Sequence, residues 1–482
     1  MNNILDQVRR KRDRKANVNQ SIGGLLSANS LQMNLSAGIN QFPPPELYRE
    51  YLLKDSLSGD FVKKYSEIEG NADIREAILF YERYLTSGDV ERQPEFPQHV
   101  CITVGATQAI ALFMEYYSCQ HPGSTVMLLG LSYYLFYECC ERQQLQAVTI
   151  MSQEAGRIAP VLAEIEAALD TYNPELLILT LPFNPSGEIY SETELEEIIG
   201  LLQRKGITML IDKCQLNELA DQFEFININR VIERTNYSEH TYVINSLSKT
   251  RSIPGARIGY ILCNEEFREC VSYWNELFLF SPPTFYVTPF IIDMVYRVLF
   301  LHWKKTGCEN EIQQILRKFR EQLLYCGGRE MYIRHLKPIL KNRDVMQDVM
   351  RFAQEIRENH DQVQLNSMYF SEAMGVRLES RTELGGGFNF CVRIRGWAAK
   401  DQLDICHDLL HKTRIILMPE SCFNNNIVSD LEHPFWFRIS AALPSAHFAQ
   451  LTDSLIAYID ERMKDGSVAE TDSNGEPLNL KR

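Results

Sequence analysis

The sequence predicts an α/β protein: a large domain with a mostly parallel sheet covered by helices on both faces, plus a smaller α+β domain. Three observations predict it. Five short apolar runs, at 126–130, 176–181, 207–211, 242–245 and 258–262, are separated by intervals most of which carry a helical pattern. Strands that are apolar along their whole length are those buried on both faces, as in a helix-covered parallel sheet. Beyond about residue 300 the pattern changes to longer amphipathic stretches and runs with hairpin-like spacing, and the 482 residues exceed what one hydrophobic core holds.

Taken in order, residues 1–30 read as a polar arm in which Gly23 and Gly24 interrupt any helix, and the run Arg9, Arg10, Lys11, Arg12 reads as a solvated face. The large domain is expected over 48–315, and the small domain over 31–47 and 316–464. The apolar stretch 290–303 is interrupted by Asp293 and Arg297, so it reads as a buried helix rather than a membrane span. An amphipathic helix is expected over 309–324, strand-like runs at 385–394, 414–419 and 435–440, and a last helix over 445–463. The segment 331–365 is long and charged and has no assigned role, and residues 465–482 read as a disordered tail.

Composition narrows the function classes. A net charge of −14 argues against a general nucleic-acid binder, which needs a basic surface. The twelve cysteines are scattered without a C-x-x-C pair, so no metal site is indicated and free thiols are expected. The N-terminus has no apolar signal region, and a cytoplasmic protein is expected.

In parallel sheets ligands bind beyond the C-terminal ends of the strands, so the residues that follow each apolar run carry the functional information. After 102–104 comes Gly105-Ala106-Thr107-Gln108 at a helix start, which suits a phosphate, or else a plain helix cap at Thr107. After 176–181 comes the turn Pro182-Phe183-Asn184-Pro185-Ser186-Gly187. After 207–211 comes Asp212, a costly place for a carboxylate unless it meets a cation. After 242–245 come Ser246-Leu247-Ser248-Lys249 and then Arg257. Together these suit a ligand with a phosphate, a pyridine ring and an aldehyde.

With NPSG at 184–187, SLSKT at 246–250 and GARIGY at 255–260 around Asp212, the sequence resembles the class I/II aminotransferases, fold type I pyridoxal-phosphate enzymes, over roughly residues 35–459. The resemblance implies pyridoxal 5'-phosphate as cofactor, an amino acid and a 2-oxo acid as substrates, and a homodimer. It implies that Lys249 binds the cofactor's aldehyde and shuttles protons, and that Asp212 pairs with the ring nitrogen. Asn184 would donate to the ring's phenolic oxygen, and Tyr133, rather than Tyr134, would stack on the ring. Ala106, Thr107, Ser246 and Arg257 would form the phosphate cup. Tyr65 would reach the phosphate of the neighbouring subunit, or else be a buried core tyrosine. Arg438 would grip the substrate carboxylate, under a loop carrying Gly38.

The sequence departs from the family pattern at Gln215, where a tyrosine that bonds the phenolic oxygen is usual. That leaves open a lyase, cyclase, decarboxylase or oxidase on the same fold. Leu131 replaces a usual proline, and Met418-Pro419-Glu420 stands where Pro-Gly is common. A cofactor-binding regulator would need a DNA-binding domain, which the short basic arm cannot make. The side chain of the substrate is not readable, and no second carboxylate-binding arginine is evident.

Overall fold

The computed structural model describes residues 34–58, 65–219, 226–283, 287–325, 336–342, 344–424 and 434–464. The predicted arm at 1–30 and tail at 465–482 lie outside them.

Seven strands form the large sheet: β1 His99–Val104, β2 Thr125–Leu129, β3 Gln146–Ile150, β4 Leu176–Thr180, β5 Thr208–Asp212, β6 Thr241–Ser246 and β7 Ile258–Cys263, in the order β1-β7-β6-β5-β4-β2-β3. Only β7 runs against its neighbours, β1 and β6; the other pairs are parallel. Alternate residues enter two separate cores. Met127, Leu177, Leu179, Met209 and Ile211 face one, and Val126, Leu128, Leu176, Ile178 and Leu210 face the other. With a side-chain period of two and apolar packing on both sides, polar residues are confined to the ends of these strands. The edge strand β3 escaped the sequence reading because its residues are only half-buried or exposed, so it is not an apolar run.

The second sheet is antiparallel. It comprises β8 Leu378–Arg381, β9 Asn389–Ile394, β10 Met418–Pro419 and β11 Phe437–Ser440, in the order β10-β11-β9-β8. Two expected runs are shorter than read. In 414–419 only Met418 and Pro419 form a strand, Ile416 makes a single bridge to Asn34, and Arg414 caps the preceding helix in the left-handed conformation (φ 65°). In 385–394 the strand begins at Asn389, and Gly385 to Gly387 pack against Pro182, Ile189 and Gln215.

The charged 331–365 segment acquires a role from residue 345 onward. Val345–Met374 is one 30-residue helix. Its Val349, Phe352, Ala353 and Ile356 join the core of the large sheet, whereas Val363, Phe370 and Met374 join the core of the second sheet with Leu35, Phe42 and Phe390. The helix Glu309–Tyr325 also packs into the large core, through Ile312, Leu316 and Phe319. We therefore propose a domain boundary within the long helix, between 356 and 363, instead of at 315/316. No helix among the described residues is long and apolar enough to cross a membrane.

Candidate active site

The strand ends converge as the parallel sheet requires. Helix Gly105–Gln120 starts directly after β1, with Val104 at its cap position and no side-chain cap bond. The alternative reading of Thr107 as the cap is thus corrected: Thr107 lies within the first turn. The positive end of this helix meets β7 closely. A Cβ on Gly259 would lie 2.6 Å from the Ala106 nitrogen, and one on Gly105 (φ +72°) would lie 2.7 Å from the Arg257 guanidinium. Only glycine permits this approach. Arg257 is held across the helix start by donating to the Val104 carbonyl at 3.1 Å. Ser246 is paired with Gly259 across β6 and β7, and its hydroxyl lies 2.7 Å from that of Ser248. Ala106, Thr107, Ser246 and Arg257 therefore form one donor-rich, cationic cup, which suits a phosphate.

Asp212 ends β5 and is buried. Its carboxylate accepts from the Cys214 N–H at 2.9 Å. Burial raises its pKa in spite of the Cys214 hydrogen bonds and the nearby Lys249, which lower it. Lys249 lies on the short helix Leu247–Thr250 after β6. Burial, then the charge of Arg438, lowers its pKa. Its Nζ donates to the Gly38 carbonyl, and its own carbonyl accepts from the Asn40 amide at 3.0 Å.

Arg438 is buried on β11 and is aimed by three groups. It donates to the Ser36 carbonyl through Nε at 3.0 Å and Nη2 at 2.6 Å, and to Asn184 Oδ1 through Nη1 at 3.1 Å. The ring of Phe423 lies 4.8 Å from the guanidinium carbon. Burial pulls its pKa down to about 10. Gly38 lies against it, since a Cβ there would be 3.2 Å from Nη1. Tyr133 is half-buried, and its hydroxyl is bonded to Thr107; burial pushes its pKa up. Gln215 is buried, and its Oε1 accepts from Asn389 at 3.4 Å.

Every predicted site residue but one is thus linked to the same cleft by hydrogen bonds, close contacts or charge. The exception is Tyr65, which is 80 % exposed, with its ring edge on Phe280 at 4.9 Å. The buried-core alternative for it is ruled out within this chain.

Sequence reasoning missed the supports. Lys213 turns away from the cleft into a buried ion pair with Glu82 at 2.6 Å, and Glu82 also accepts from Tyr260 at 2.6 Å and Asn229 at 2.7 Å. Arg251 bonds Asp293 at 2.7 Å, and Asp293 also pairs with Arg297 at 2.6 Å. These ion pairs anchor the residues immediately after Asp212 and two positions after Lys249. Asp293 and Arg297, read only as interruptions of an apolar helix, are its buried polar anchor. Arg251 and Asp293 lie 42 residues apart in the sequence and Lys213 and Glu82 lie 131 apart, so spacing gave no signal for those two pairs, whereas Asp293 and Arg297 stand at the i,i+4 spacing of a helical ion pair.

Comparison with known proteins identifies the family and the fold. The aminotransferase class I and II family model matches residues 30–455. The aspartate aminotransferase of Thermotoga maritima is 28% identical over 245 residues, 50% of this chain and 60% of that protein. The kynurenine–oxoglutarate transaminase of Dictyostelium discoideum is 24% identical over 266 residues, 52% of this chain and 59% of that one. The match thus spans about three fifths of these relatives' length. The aspartate aminotransferase of Rhizobium meliloti shares the fold with a TM-score of 0.63 at 17% identity, covering 89% of this chain and 91% of that one. The aromatic aminotransferase of Pyrococcus horikoshii does so at 0.62 and 18%, covering 92% and 99%. With a match over most of its length and the fold and strand-end cleft described above, the chain belongs to the aminotransferase class I and II family.

Proposed function

We propose that the protein is a pyridoxal-phosphate-dependent aminotransferase that moves an amino group between an α-amino acid and a 2-oxo acid. The observation that carries this is one cleft in which an amine of lowered pKa, Lys249, lies among a buried carboxylate, Asp212, and a buried guanidinium, Arg438. The residues present fit the cofactor. The cup of Ala106, Thr107, Ser246 and Arg257 suits its phosphate, and the raised pKa of Asp212 marks a carboxylate in want of a cation. Bound there, the cofactor supplies an aldehyde and an electron-withdrawing ring.

The chain's own residues divide the remaining work. Arg438, fixed by Ser36 and Asn184, presents its fork to the substrate carboxylate. Lys249 Nζ, whose lowered pKa leaves more of it as free amine, takes and returns the substrate's α-proton. Asp212 keeps a positive charge favourable at the floor of the site. Tyr133 and Asn184 flank the ring position. The Gly38 loop, in contact with both Arg438 and Lys249, excludes water from the reacting centre.

We further propose a homodimer. Leu277, Phe278 and Phe280, at the end of the helix Glu265–Leu279, are 61%, 69% and 58% exposed, and Tyr65 packs on Phe280. Clustered exposed apolar rings mark an interface. A second copy covering them brings Tyr65 toward the other subunit's phosphate cup. Sedimentation of the wild type and of Phe278→Asp checks this: a monomeric wild type overturns it.

The absorbance spectrum tests the function. The protein with added cofactor is expected to be yellow, and an amino acid should replace the visible band by a near-ultraviolet one while a 2-oxo acid is released. Lys249→Ala should lack the visible band. Release of ammonia or carbon dioxide, or uptake of oxygen, without that exchange would instead favour a lyase, decarboxylase or oxidase, the chemistry that Gln215 leaves open. A wild type as colourless as Lys249→Ala refutes the assignment.

A further inference from the structure

A cavity of about 350 Å3, counting its open mouth, adjoins Lys249. Its polar lining comes from four separate segments: Asn40, Gln215 with Asn217, Thr250, and Asn359 with His360. Ile356 and Phe388 supply apolar wall. Apart from Lys249 itself, no Asp, Glu, Arg or Lys lines it among the described residues. Burial lowers the pKa of His360, which therefore presents a neutral ring. Four carboxamides in one small cavity make a lining that is neutral but dense in both donors and acceptors.

Several of these amides are held in place. Asn40 accepts from the Phe42 N–H at 3.0 Å while donating to the Lys249 carbonyl. Asn217 accepts from the Leu219 N–H at 3.3 Å, and Gln215 accepts from Asn389 at 3.4 Å. Those bonds use amide oxygens and leave the NH2 groups of Asn217 and Gln215 as donors. The cavity also adjoins residues that the aminotransferase reading places at the substrate. Gly38 touches both Arg438 and Lys249 Nζ, and Asn40, two residues later, lines the cavity.

Resting on the aminotransferase reading, we propose that this cavity is the side-chain pocket and selects an amino acid whose side chain is neutral and ends in a carboxamide. A carboxamide matches acceptors and donors at once. A guanidinium there would be buried without a counter-ion, a carboxylate would find only Lys249, whose amine the cofactor engages on the aminotransferase reading, and an aliphatic chain would leave the amides unpaired.

The test compares amide and acid partners of nearly equal shape. Calorimetry on the cofactor-loaded protein would use the α-methyl derivatives of asparagine, aspartate, glutamine and glutamate, with 2-aminoisobutyrate as the reference that lacks a side-chain polar group. None can lose an α-proton, so binding is read without turnover. At least one amide is expected to bind about tenfold or more tightly than its acid, and than the reference. Asn359→Leu is expected to reduce the amide-to-reference ratio about tenfold. Acids that bind as well as their amides, or a ratio indifferent to Asn359→Leu, overturn the pocket assignment. The yellow band separates the two failures: with the band present and the reference bound, only the pocket fails; with no band, the aminotransferase reading fails and the pocket with it.

Discussion

Replacing Asp212 with Asn is expected to stabilise the cofactor-free protein and to weaken its hold on pyridoxal phosphate. The carboxylate is buried at the end of β5, and burial raises its pKa by more than Cys214 and Lys249 lower it. A carboxyl whose folded pKa lies above its unfolded value of about 3.9 binds protons more readily in the folded state. Its contribution favours the fold at low pH and is lost as pH rises through the folded pKa. Asn keeps an oxygen that can accept from the Cys214 N–H but carries no charge. Removing the buried, undercompensated charge should add about 1–3 kcal/mol of stability above that pKa. The gain should shrink on acidification, because the wild-type carboxyl is then neutral too. The cofactor's ring nitrogen would lose a charge-assisted bond of about 1.5–3 kcal/mol, so the dissociation constant should rise roughly ten- to hundredfold. Urea unfolding of the cofactor-free protein at several pH values and an absorbance titration with cofactor measure the two effects. An Asp212→Asn protein that is less stable than wild type, or whose gain does not depend on pH, refutes the reasoning.

Other expectations concern the same cleft and its supports. Arg438→Gln should lower kcat/KM for the amino acid about a hundredfold, since a buried bidentate partner of the carboxylate is lost; steady-state kinetics would expose a smaller role. Lys213→Met leaves Glu82 buried without its cation and should cost about 3–5 kcal/mol in urea unfolding. The double variant with Glu82→Gln should cost less than the sum of the two single changes, and strict additivity would count against the pair. Gln215→Tyr puts a phenol where the chain has an amide bonded to Asn389, and should move the pH at which the visible spectrum changes. An unmoved spectrum would remove Gln215 from the account of the cofactor's environment.

Local sequence was enough to locate the strands of the large sheet that are buried on both faces, and the residues at their ends. A strand packed on both faces must be apolar throughout, so β2, β4, β5, β6 and β7 announce themselves, and Asp212 and Lys249 stand out as charges at their ends. The half-buried edge strand β3 obeys no such constraint and was missed. Tertiary structure decided what lies far apart in the chain. Arg438 is aimed by Ser36, 402 residues away, and Lys213 is neutralised by Glu82, 131 residues away. The long helix Val345–Met374 divides its apolar face between two cores, and its middle brings Asn359 and His360 to the cavity beside Lys249. The physical reason is range. Side-chain period and strand burial act over a few neighbouring residues, whereas a buried charge or amide is satisfied by whichever group folding brings within about 3 Å, and no local pattern encodes that partner.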